Sequence, residues 1–78
     1  MIYEDINVGD KLWSMRGSFP VKMEVIKTWK CKHLGGWWCY YVTMWDENKR
    51  STHSRHPDQL FKTYNELRDF IFPEINNQ

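Results

Sequence analysis

Apolar and polar positions alternate with a period of two along most of this chain, which is the signature of half-buried strands. Lys11-Leu12-Trp13-Ser14-Met15, entered from the turn Val8-Gly9-Asp10, reads as a first strand, and Arg16-Gly17-Ser18-Phe19-Pro20 as the loop after it. Val21 to His33 reads as one long strand. Its odd positions (Val21, Met23, Val25, Trp29, Cys31) form an inward row, and its even positions (Lys22, Glu24, Ile26, Thr28, Lys30, Lys32) an outward one. Lys27 interrupts the inward row, which places a bulge or strong bend there, as at a barrel corner.

Gly35-Gly36 fits a two-residue type I′ turn, in which both central residues need positive φ. The strand it leads into, Trp37 to Trp45, carries Trp38, Tyr40, Val42 and Met44 at even positions, the set expected to face in, and Trp37, Cys39, Tyr41, Thr43 and Trp45 at odd ones. A two-residue turn sets Lys30 opposite Tyr41 and Lys32 opposite Cys39. A three-residue loop would shift the register by one, bring Cys31 and Cys39 face to face, and undo this assignment of faces.

Further on, Asp46 to Lys49 is a turn and Arg50 to Arg55 a short polar strand suited to a sheet edge. His56-Pro57-Asp58-Gln59 turns the chain and brings Leu60 and Phe61 into the core. Thr63 and Glu66 have capping-box spacing, so a helix begins there. Leu67, Phe70 and Ile71 form its apolar face, and Pro73 stops it. The expected architecture is a single domain over residues 1–78: a small, mainly β, SH3-like barrel of four to five antiparallel strands over about 6–61, with one C-terminal α-helix over about 63–72.

Seventy-eight residues hold one small core, and five Trp, four Tyr and four Phe supply it, since each buried ring removes roughly 150 to 250 Å² from water. The net charge of +1 conceals an uneven distribution. Residues 11–62 carry ten Lys or Arg against four acids, a local charge of +6, between acidic ends. Two cysteines are too few for a disulfide scaffold and suit a reducing compartment. No run is apolar enough for a transmembrane helix and Met1-Ile2-Tyr3-Glu4-Asp5 is unlike a signal peptide, so a cytoplasmic protein is expected.

Ile6-Asn7-Val8-Gly9-Asp10-Lys11-Leu12-Trp13 resembles the first strand of small SH3-like or Tudor-like barrels. Leu60-Phe61-Lys62-Thr63 with Glu66-Leu67 resembles the strand-to-helix ending of small uncharacterised phage and mobile-element proteins. The resemblance covers the two ends of the chain, implies a fold, and carries over no functional residue.

With the two-residue turn, Lys30, Lys32, Trp37, Tyr41 and Trp45 share the outward face of the central hairpin, unless the C-terminal helix covers it. Rings interleaved with cations suit single-stranded nucleic acid, through base stacking and phosphate neutralisation. They suit a protein interface as well. The expectation is therefore a noncatalytic binding module, for nucleic acid or, alternatively, for a protein partner, as a phage or mobile-element inhibitor or accessory subunit docks on a larger machine. No cofactor, metal site or membrane association is expected. Cys31, His33, Cys39, His53 and His56 lack zinc-ligand spacing, and Ser51, Thr52, His53, Ser54, His56 and Asp58 lie too close together on a polar strand and turn to converge on a substrate cavity.

Overall fold

A computed structural model describes residues 1–72. Four antiparallel strands, β1 (Lys11–Arg16), β2 (Phe19–Lys32), β3 (Trp38–Trp45) and β4 (Thr52–Arg55), form one sheet in the order β1-β2-β3-β4, followed by a helix, α1 (Tyr64–Ile71). Short 3₁₀ turns occupy Tyr3–Asp5 and Pro57–Gln59. The chain is mainly β with one C-terminal helix, as the alternation predicts.

After β4 the chain returns to the far edge of the sheet. Phe61 forms a single antiparallel bridge with Trp13, its N–H donating to Trp13 O at 2.9 Å and its carbonyl accepting from Trp13 N–H at 2.7 Å. The buried Ser14 hydroxyl donates to Gln59 O at 3.0 Å, and the N-terminal ammonium donates to Pro57 O at 2.8 Å. One side of the sheet holds the core, made by Ile6, Leu12, Met23, Val25, Val42, Met44 and Leu60.

Two sequence expectations about the central hairpin are corrected. The unpaired residue of the β2 bulge is Ile26, one position before Lys27, so the inward row changes from odd (Met23, Val25) to even (Thr28) on crossing it. The loop at the tip has three residues, Leu34, Gly35 and Gly36. His33 N–H donates to Trp37 O, Gly36 N–H donates to His33 O, both at 2.9 Å, and Gly36 alone of the glycine pair has positive φ, +91°. This is a type I turn closed by a glycine bulge. Lys30 therefore pairs with Tyr40, Lys32 with Trp38, and Cys31 with Cys39.

In α1 the Thr63 hydroxyl accepts from Glu66 N–H at 3.1 Å, as the capping spacing predicts. The Glu66 carboxylate reaches Lys62 N–H (3.2 Å) in place of the Thr63 amide. Only Leu67 of the expected apolar face is buried; Phe70 is 67% exposed and Ile71 lies at the surface. The helix sets Tyr64 edge-on to Trp13 (5.4 Å between centroids) and Phe70 against Phe61 (5.2 Å), both beside the β1 edge. Phe61 itself is half-buried at that edge, short of the interior position expected for it. The expected stop at Pro73 lies outside the described residues. Among those residues no helix is long and apolar enough to cross a membrane.

Candidate nucleic-acid interface

β1 pairs with β2 only over residues 19–24, and β4 with β3 only over 42–45. From Thr28 to Tyr41 the β2–β3 hairpin therefore runs on as a two-stranded ribbon with, among the described residues, no strand on either side. Such a ribbon offers two faces and must hold its own register.

The face continuous with the core carries Thr28, Lys30 and Lys32 on β2, opposite Val42, Tyr40 and Trp38 on β3. Val42 is buried, and the side chains grow more exposed toward the tip, until Trp38 is 49% exposed. Lys30 Nζ stands 4.9 Å and Lys32 Nζ 5.9 Å from the Trp38 ring centroid, so two ammoniums share one indole. Tyr40 packs against Tyr3 at 4.8 Å. Beside them lies an open groove of about 470 Å³ bounded by Met1, Tyr3, Trp38, Tyr40, His56 and Pro57.

The opposite face carries the pairs Lys27 with Thr43, Trp29 with Tyr41, and Cys31 with Cys39, and ends at His33 beside Trp37. Trp29 stacks on Tyr41 (4.5 Å, 20° between planes), its indole N–H donates to Thr43 Oγ1 at 2.9 Å, and the His56 ring lies 4.7 Å from Tyr41. Burial foremost, then the electrostatic influence of neighbouring Cys39 and Cys31, holds the Tyr41 phenol above its ordinary pKa. At the tip Trp37 stacks on His33 (5.4 Å, 18°) and lies over Gly35, where an added Cβ would fall within its ring.

The five residues expected to form one surface are thus distributed over two. Trp37, Tyr41 and Trp45 do share a face, and the aromatic contacts of α1 go to Trp13 and Phe61 instead of to these rings. Tyr41 and Trp45 are half-buried, whereas Trp37 is 60% exposed. Lys30 and Lys32 lie on the other face, grouped with Trp38 and Tyr40, because the loop has three residues. Trp38, Tyr40 and Tyr3 are the neighbours that the two-residue turn left out. The signal for them was His33-Leu34-Gly35-Gly36-Trp37, which accommodates a type I turn with its one positive-φ residue at the second glycine.

A separate polar cluster lies between β3 and β4. Asp46, buried between β3 and β4, accepts from Arg50 N–H and from the Ser51 hydroxyl (both 2.9 Å), and Arg16 lies 3.8 Å away. The Arg50 bond foremost, with Ser51 and Arg16, holds its carboxyl below the usual range against the opposing effect of burial. Because the Ser51 hydroxyl directs its proton to Asp46, His53 Nε2, 3.2 Å away, does not receive it as a general base would. Cys31 and Cys39 share a face, correcting the inside–outside assignment. Among the described residues no three His, Cys, Asp or Glu side chains converge as metal ligands would. No protein-family model, curated protein or solved structure matches the chain.

Proposed function

We propose that the chain is a noncatalytic binding module that takes a single-stranded nucleic acid along the core-side face of its ribbon. The observation that carries this reading is the half-exposed Trp38 ring with Lys30 and Lys32 both within 6 Å of its centroid. A base needs a flat ring to stack on, and its phosphate needs a cation one sugar away; this cluster offers both on a surface no neighbouring strand covers. The groove by Tyr3 and Tyr40 continues the path, and Trp37, exposed on the opposite face, lies off it. Glu4 and Asp58, which also line that groove, repel phosphate and so favour a backbone running on the lysine side. Tyr41 and Trp45 act in this reading as the support beneath the binding face.

The return of the chain from β4 to β1 through the Phe61 bridge supports an SH3-like reading of the fold, the architecture the terminal segments suggest. Exposed Phe19 and Phe70, away from the ribbon, favour a second reading, a protein-interaction module. Salt separates the two. With Trp fluorescence as the signal, binding of an oligothymidine should weaken with salt at a log–log slope of about −0.7 per neutralised phosphate. Absence of oligonucleotide binding at low salt would favour the protein partner.

A further inference from the structure

Cys31 and Cys39 are both free, both half-buried, and directly opposed in the ribbon. Opposed residues of an antiparallel ladder have Cα atoms about 4.5 to 5.5 Å apart, inside the range of about 4.4 to 6.8 Å that a disulfide spans. The pairs on either side along the same face are stacked rings, Trp29 on Tyr41 and His33 against Trp37. These two stacks pin the strands in register without a covalent bond, so the thiols are held opposite one another while still reduced.

We propose that Cys31 and Cys39 are a redox-sensitive modification site, closing reversibly into a cross-strand disulfide by exchange with a small-molecule disulfide such as oxidised glutathione. One cysteine gives up its proton, and its thiolate attacks the reagent; the S–S bond of the reagent breaks and a first thiolate leaves. The second cysteine, deprotonated in turn, attacks the protein-side sulfur of the mixed disulfide and displaces a second thiolate. Two protein thiols are oxidised, the reagent is reduced, and the two cysteine protons end on the two released thiols. Preorganisation by the flanking stacks makes the second, intramolecular step outrun capture of another reagent molecule.

The consequence is mechanical. Among the described residues no strand flanks the ribbon over this stretch, so the disulfide would lock a register that its own ladder and the two stacks hold. Disulfide closure requires no ligand on the ribbon, so it is independent of nucleic-acid binding.

The test treats the folded chain with oxidised glutathione, blocks remaining thiols with iodoacetamide, and measures intact mass without reductant. The expected product is a monomer lighter by two hydrogens, carrying neither glutathione nor alkyl groups, with a melting temperature raised by more than about 5 °C and restored by dithiothreitol. Cys39→Ser should retain the glutathione adduct on Cys31 that the native chain resolves. Persistent adducts on the native chain, disulfide-linked dimers, or two alkylated cysteines after treatment would each overturn the proposal.

Discussion

Trp29 stacks its ring on Tyr41, its direct cross-strand partner, while its indole N–H donates to the hydroxyl of Thr43 in the neighbouring pair, 2.9 Å away across the ribbon. One side chain thus ties the ribbon to the part of β3 that β4 flanks, because Thr43 also bonds Ser54 at 2.9 Å. Trp29→Phe should cost about 0.5 to 1.5 kcal/mol, the worth of the hydrogen bond. Trp29→Ala should cost more, since the stack adds about 0.5 to 1.5 kcal/mol beyond its buried area. Urea unfolding of the two variants measures the difference.

At the tip, the two glycines should respond differently. Gly36→Val places a β-branched residue at φ +91° and should destabilise the domain by roughly 1 to 2 kcal/mol. Gly35 needs no positive φ, and its substitution by Ala acts instead on Trp37, whose ring must leave the turn. A changed tryptophan emission with a smaller loss of stability is expected for Gly35→Ala, from fluorescence-detected unfolding.

Leu67 and Phe70 lie on one helix with opposite surroundings, 2% and 67% exposed. Leu67→Ala should cost about 2 to 5 kcal/mol, the range for emptying a buried site. Phe70→Ala should cost far less, because its ring is mostly exposed and packs against Phe61 beside the β1 edge. Thermal unfolding monitored by circular dichroism ranks the pair.

Asp46 gives the domain an acid limb of known sign. Its carboxyl has a folded pKa below the unfolded value, so its contribution is complete above the ordinary carboxylate range and is lost as pH falls through the lowered folded pKa. Asp46→Asn should therefore be less stable than the native chain at neutral pH, with the difference shrinking on acidification. Melting temperatures of both chains from pH 7 down to pH 2 test this; a difference that grows toward low pH would reverse the assignment.

The strands, the capped helix and the existence of a bulge were legible because each rests on local alternation or on a short capping signal. The hairpin register was not, because a Gly-Gly pair serves both a two-residue turn and the bulged end of a three-residue one. Leu34 lies in the loop, and the three-residue register goes with the pairing and stacking of His33 and Trp37 across the loop's base, which alternation within either strand does not report. A shift of one residue then moved Lys30 and Lys32 from the rings of Tyr41 and Trp45 to that of Trp38. The exposure of Phe70 was also beyond the helix pattern, since periodicity marks an apolar face without saying how much of it a narrow sheet edge can cover.

The most direct test of the central claim, that the Lys30, Lys32 and Trp38 face takes the ligand, is the affinity of Trp38→Ala for oligothymidine at low salt beside that of Tyr41→Ala, both checked for folding. Trp38→Ala should lose roughly 1 to 3 kcal/mol of binding, about one stacked base, while remaining as stable as the native chain. Tyr41→Ala should lose stability and bind nearly as well wherever it is folded. A Trp38→Ala variant that binds like the native chain, with the loss appearing in folded Tyr41→Ala instead, would place the ligand on the other face and contradict the account.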